Sequence, residues 1–373
     1  MSWEELQALG QQAFEAGNYV DCEKLWRQAL SEAKPNGDHT LREATTCLDI
    51  ARLYHLVGRS QEAEGLIEAA SAIRQEQLGK EHLQLAECFS MFAQNQALQG
   101  KFDECEELYE RALQIREKGL GKKHPEVAES MQDLATFFSS IGNFEDCLNL
   151  LAKALEIRES VNPASMEVAN TQKSMARIYR KLGKFAEAEE FYVHSLQMKE
   201  KLLGTNHEQV AESLRSLANN FSYQGKYADA EPLYRRSLEI YETVLGSDHP
   251  EVATNLHNLA VLYYKMGRDG EAATLYRRAL ELFSSVLGSE HPEVATTLMS
   301  MSKFYEQRGK YDKAEALSML AISIFEKTFG PEHRNVGMSL RDLAEVYNAQ
   351  GRSLEAEYAR SRAEQILSRQ HAQ

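Results

Sequence analysis

No run of apolar residues in this chain of 373 approaches the roughly 20 that cross a bilayer, so no membrane-spanning helix is expected. Basic residues are outnumbered. The 42 Lys and Arg stand against 56 Asp and Glu, a formal charge of −14, which disfavours nucleic acid or an anionic membrane as a partner. The five cysteines form no Cys-x-x-Cys pair, and no nucleophile elbow, phosphate loop or paired-carboxylate constellation stands out. Nothing here argues for an enzyme, a cofactor or a metal. Residues 1–10 are acidic and already in the repeat register described below, so no leader segment is visible and a cytoplasmic location is the expectation.

What the chain has is a period. Gly17, Gly58, Gly100, Gly142, Gly183, Gly225, Gly267, Gly309 and Gly351 follow one another at intervals of 41 or 42 residues. Spacing in this range marks a solenoid, whose units bury their apolar faces only against their neighbours. Before Gly267 stand Leu256, Leu259, Ala260 and Tyr263, and before Gly225 stand Leu214, Leu217, Ala218 and Phe221, each set on one face of a helix. A second apolar stripe follows the glycine, as in Tyr227, Ala230, Leu233, Tyr234, Leu238 and Ile240. Each glycine therefore sits in the turn of a helical hairpin. The small residue five positions later, such as Ala188, Ala230, Ala272 or Ala314, suits a close helix crossing.

Between hairpins the phrase Leu-Gly-Ser-Asp-His-Pro-Glu-Val-Ala (245–253) returns with one change at 287–295. Its glycine ends one helix, and Pro250 or Pro292 opens the next with Glu251 or Glu293 at the positive end of the dipole. The histidines of these junctions, His82, His124, His207, His249, His291 and His333, recur once per unit, too far apart to share a metal and suited to capping. Cys22, Cys105 and Cys147 occupy the alanine position of the crossing and read, with Cys47 and Cys88, as buried small hydrophobes. The junction at 160–168 breaks the rule. It lacks Leu-Gly and His, and Gln172 then takes a position that is usually apolar; this is either drift in a tolerant loop or a change of curvature between the fourth and fifth units.

With its His-Pro-Glu-Val-Ala openings and phrases such as Gly225-Lys-Tyr-Ala-Asp-Ala-Glu-Pro-Leu-Tyr234, the chain resembles the tetratricopeptide-repeat proteins, with 42-residue repeats of the kinesin light chain type. Gly10, Tyr19 and Ala29 extend the match into the first unit. The resemblance implies an all-α, right-handed superhelical solenoid of about nine helix-turn-helix repeats forming a single array over 1–373. It also implies a groove that binds proteins or peptides, lined by the first helix of each hairpin at positions 13, 10, 6, 3 and 2 before the glycine.

Carried onto this chain, the mapping puts Lys173, Arg177, Arg180 and Lys181, then Arg215, Asn219 and Tyr223, then His257, Tyr264 and Lys265, and finally Lys303 on or beside the groove. The earlier units offer Glu87, Glu129 and Gln132 instead, and where the kinesin light chain groove has asparagine this chain has Lys173, Arg215, His257, Met299 and Arg341. Residues 1–160 hold 16 basic and 28 acidic residues, whereas the remainder is nearly balanced. Either the cations form a solvated face, or they receive an acidic extended segment of a partner. The resulting expectation is a monomeric, non-enzymatic adaptor or scaffold, the alternative being an architectural protein that self-associates or bridges through its outer surface or ends.

Overall fold

The computed structural model describes residues 1–33 and 40–370; residues 34–39 and 371–373 of the expected array lie outside the described residues. Eighteen helices, and no strand among those residues, follow one another along the chain. The first nine are α1 (Trp3–Glu15), α2 (Tyr19–Glu32), α3 (Leu41–Leu56), α4 (Ser60–Leu78), α5 (Leu83–Leu98), α6 (Cys105–Leu120), α7 (Pro125–Ser140), α8 (Phe144–Val161) and α9 (Met166–Lys181). The remainder are α10 (Phe185–Leu203), α11 (Glu208–Tyr223), α12 (Tyr227–Leu245), α13 (Pro250–Lys265), α14 (Asp269–Leu287), α15 (Pro292–Glu306), α16 (Tyr311–Phe329), α17 (Arg334–Ala349) and α18 (Ser353–Gln370). The chain divides into two compact units, Met1–Leu182 and Gly183–Gln373.

The punctuation follows the sequence. Gly225 turns the hairpin between α11 and α12 at φ 75°, a conformation that a Cβ would strain. At the helix starts the recurrent histidines are N-caps: Nδ1 of His124 accepts from the Glu126 N–H at 3.3 Å, and His249 and His291 accept in the same way at 3.2 Å. An accepting Nδ1 leaves the ring proton on Nε2, and each cap satisfies one of the amides that a helix start leaves orphaned. At the irregular junction Asn162 ends α8 with extended backbone, φ −151°, and the Ser165 hydroxyl caps α9 in place of histidine. Gln172 is buried there, its Oε1 without a hydrogen-bond partner among the described residues.

Packing within each unit explains the small residues. Ala188, Ala230, Ala272 and Ala314 are fully buried where hairpin helices cross, and Cys22, Cys105 and Cys147 fill the same position. All five cysteines are free and buried, as small hydrophobes should be. Gly10 is needed for a different reason. A Cβ there would lie 2.3 Å from the indole nitrogen of the buried Trp26.

First helices also touch first helices, α3 on α5 and α5 on α7 in one unit, α11 on α13, α13 on α15 and α15 on α17 in the other. They form the inner layer of each unit. The second helices lie outside it.

A polar clasp links some neighbouring hairpins. Glu231 of α12 accepts hydrogen bonds from Tyr263 Oη (2.8 Å), Arg268 (2.8 Å) and Arg235 (3.0 Å), while the Arg268 guanidinium lies 3.9 Å over the Tyr263 ring. Glu23, Tyr54, Arg59 and Arg27 repeat the arrangement in the first unit. Burial opposes ionisation of Glu23, but these three donors outweigh it and hold the carboxyl at about 2. At the corresponding place between α6 and α7–α8, Phe138 and Asn143 replace tyrosine and arginine, and Glu106 is exposed and unclasped.

Candidate functional site

The first unit's inner layer opens into a cleft of about 850 Å³, within the range of sites that hold ligands. Its floor and walls come from α3, α5, α6 and α7. Leu98 and Phe102 stand exposed at its edge, 54% and 41% accessible, beside the buried Met91, Tyr109 and Phe137. The same cleft is lined by Glu126, Glu129 and Asp133 of α7 and by Glu87 of α5.

Beneath the acids lies a row of basic side chains sixteen residues after successive hairpin glycines. Arg116, 8% exposed, donates to Ser130 Oγ at 2.7 Å and sits 3.9 Å from the Glu129 carboxylate. Arg74, 4% exposed on its side chain, donates to the Gln84 carbonyl at 2.6 Å and to Glu87 at 2.9 Å. Arg158 donates to Thr171 Oγ1 and to Gln132 Oε1. In the second unit the same register holds Tyr241, Phe283 and Phe325 after the Lys199 of α10.

The two acidic groups differ in their partners. Glu87 is held by Arg52 and Arg74, both at 2.9 Å. Asp133 makes no hydrogen bond or ion pair among the described residues; burial, then the neighbouring Glu129, push its carboxyl up to about 6 against the pull of Arg116 and Arg158.

The cations singled out from the sequence meet various fates. On α9 of the first unit, Lys173, Arg177 and Arg180 share a face, as spacing requires. Arg177 and Lys181 are exposed, whereas Lys173 and Arg180 are half-buried and already engaged. Lys181 Nζ lies 5.3 Å over the Phe144 ring and 3.5 Å from Ser139 Oγ. Arg177 forms no ion pair among the described residues.

In the second unit most of the expected groove charge is already matched. Arg215, read from sequence as an open groove cation, has a side chain only 15% exposed, paired with Glu251 and lying 5.4 Å over the Tyr241 ring. Lys303 pairs with Glu306 at 2.8 Å, one turn along α15. Asn219 accepts from Tyr234 Oη at 2.5 Å. His257 lies against Thr297 (3.2 Å) and edge-on to Tyr276, and burial pushes its imidazole down to about 4, so it is neutral at pH 7. Tyr223, 62% exposed, stacks on Phe185 and carries Lys265 Nζ 5.6 Å over its ring. Tyr264 meets Phe304 edge-on and Arg308 over its face at 5.1 Å. Burial pushes the Lys265 ammonium below its ordinary range. The result is an alternation of aromatic rings and cations over α11–α15, while Arg341 on α17 is exposed and makes no ion pair among the described residues.

Sequence reasoning placed Glu87, Glu129 and Gln132 on the inner layer but passed over Asp133, the aromatic wall and the row of buried and half-buried arginines. The arginines had a signal. Arg74, Arg116 and Arg158 fall at one register of the period, where a row of identical type is unlike a solvated face.

Comparison with known proteins adds the family. A tetratricopeptide-repeat model matches residues 42–104, 93–160, 167–243, 221–285, 251–317 and 293–369. No curated protein matches the chain. Among solved structures, apo RapI superposes with a TM-score of 0.69 at 13% identity, over 99% of this chain and 98% of that one. The apo quorum sensor NprR from B. thuringiensis gives 0.66 at 15%, over 98% of both chains. BtubC (BKLC) from P. vanneervenii gives 0.53 at 21%, over 62% of this chain and 93% of that one. These likenesses concern the fold. No helix among the described residues is long and apolar enough to cross a membrane. With its family model spanning most of the repeats and the hairpins stacked in register, the chain belongs to the tetratricopeptide-repeat family.

Proposed function

We propose that the chain is a non-enzymatic adaptor that holds an extended protein segment against its inner layer of first helices, and that the basic stretch of α9 receives an acidic one. The observation that carries this reading is the exposed Arg177, without an ion pair among the described residues and one turn from the exposed Lys181. Charge-assisted hydrogen bonds from these groups to carboxylates would supply both affinity and register. In the second unit Lys265, lying over the exposed Tyr223, offers the same chemistry on an aromatic ledge. Arg215 and Lys303 contribute less, since Glu251 and Glu306 already neutralise them. The five free cysteines support a reducing compartment, and the proposed adaptor is cytoplasmic and monomeric.

The test is binding of a fluorescent peptide of alternating tyrosine and glutamate to the full chain. Arg177→Glu with Lys181→Glu should weaken it at least about tenfold, the equivalent of one charge-assisted hydrogen bond, and leave helicity unchanged. Affinity should also fall with salt, because such contacts are screened over about 8 to 10 Å. Undiminished binding by the double variant would remove α9 from the site.

Self-association is a second reading, favoured by one feature: an apolar hollow of about 460 Å³ against α16, α17 and α18, beside the exposed Leu354 and Tyr358. Light scattering across a concentration series decides it. A monomer at every concentration sinks self-association.

A further inference from the structure

We propose that the cleft of the first unit binds a basic, apolar-flanked segment of a partner protein, a lysine or arginine meeting Asp133 and Glu129 while a neighbouring apolar side chain lies against Leu98, Phe102 and Phe137. This goes beyond the acidic-segment reading: it concerns other residues, the opposite charge, and a site that stands or falls separately.

Three observations converge. The cleft is large enough for side chains to enter, at about 850 Å³. One wall is apolar and open to solvent at Leu98 and Phe102. In the same cleft, one turn before Phe137 on α7, is a carboxylate, Asp133, that makes no hydrogen bond or ion pair among the described residues. A half-buried carboxylate without a partner destabilises the fold, and an incoming cation would supply the missing hydrogen bond.

Charge complementarity favours a cation over an anion. Four carboxylates, Glu87, Glu126, Glu129 and Asp133, line the cleft against two guanidiniums, Arg52 and Arg116. Both guanidiniums have protein partners: Arg52 binds Asp49 and Glu87, and Arg116 binds Ser130 and lies within ion-pair distance of Glu126 and Glu129. An acidic ligand would meet these carboxylates without a free cation to receive it. The groups facing Asp133 are Glu129 on its own helix, Arg116 from α6, Arg158 from α8 and the Tyr109 hydroxyl, which burial keeps protonated. Among them Asp133 loses its proton near pH 6, so a cationic segment should bind more tightly at pH 7.5 than at pH 5, in contrast to a contact made by an ordinary exposed carboxylate.

The probe is a short fluorescent peptide of phenylalanine and lysine spaced by serine, titrated into the full chain by anisotropy, with the glutamate analogue as control. The lysine peptide should bind at least about tenfold more tightly than the glutamate one. Asp133→Asn with Glu129→Gln should cost about tenfold or more, and Phe102→Ala should cost several-fold. Asp133→Asn alone removes an unpaired carboxylate, so its melting temperature should not fall, and Arg177→Glu should leave this peptide's affinity unchanged while weakening acidic-peptide binding. Equal affinity for the two peptides, no binding of either, or full affinity in the carboxamide variant would overturn the proposal. So would a spermidine competition as strong as that of the peptide, since the apolar wall would then play no part.

Discussion

The two units share a repeat and a turn chemistry, yet they handle charge in opposite ways. In the first, buried arginines stand under the inner layer and hold Glu87 and Glu129 from below, while Asp133 is left over in an open cleft. In the second, aromatic rings fill the same buried register after Lys199, and most inner-layer cations are matched by Glu251, Glu306 or a ring face, Arg341 of α17 being exposed without an ion pair among the described residues. A repeat period therefore fixes where side chains go without fixing what is left for a partner. That depends on which charges the unit has already used internally.

The sharpest way to break the contrast between clasped and unclasped neighbours is Glu231→Ala. It removes the acceptor that Tyr263 Oη, Arg268 and Arg235 share, while Arg268 keeps Glu271 and Arg235 keeps Tyr263 Oη, and the expected loss is about 1 to 2 kcal/mol in urea unfolding, against nearly nothing for Glu106→Ala. The sign with pH follows from the lowered Glu231 carboxyl: its contribution is complete above the ordinary carboxylate range and disappears as pH falls through the folded-state value. The difference between wild type and variant should then close in acid. Equal losses at both sites would mean that the clasp is ornamental.

Asp133→Asn tests the opposite sign in the other unit. Its carboxyl ionises near 6 in the fold but at about 3.9 in the unfolded chain, so ionisation costs the folded state. That cost is absent below about pH 4, grows as pH rises and is complete above about 6. The variant should gain about 1 to 2 kcal/mol at pH 7, allowing for the partial exposure of the site, and nothing at pH 3.5. A loss at pH 7 would reveal an internal partner.

Smaller effects ask whether the two units are built alike. His249→Ala in the second and Ser165→Ala in the first should each cost about 1 kcal/mol, the usual worth of an N-cap; a neutral result at Ser165 would mark the irregular junction as unimportant for stability. Gly65→Ala and Gly270→Ala lie inside helices with open space where the Cβ would go. Each should raise stability by about 0.5 to 1 kcal/mol, as helix propensity predicts. A thermal melt resolves the direction.

Much of this was legible beforehand because solenoid packing is local. The 41- and 42-residue interval, the glycines and the His-Pro phrases fix the hairpins through nearest neighbours, and the buried Ala230 and Cys147 sit at the small-residue register. The groove chemistry was less legible. Arg215 and Arg177 look equivalent in sequence, both cations at groove positions. Glu251 on the following first helix closes on one and nothing among the described residues closes on the other.

By itself, then, the sequence determined the helices, their caps, their order and the membership of the family, since each rests on periods and turn residues within one or two repeats. The tertiary structure alone decided which charges remain available. Ion pairing depends on the approach of side chains some 35 to 40 positions apart, and a carboxylate such as Asp133 acquires its character from the dielectric and neighbours that packing supplies.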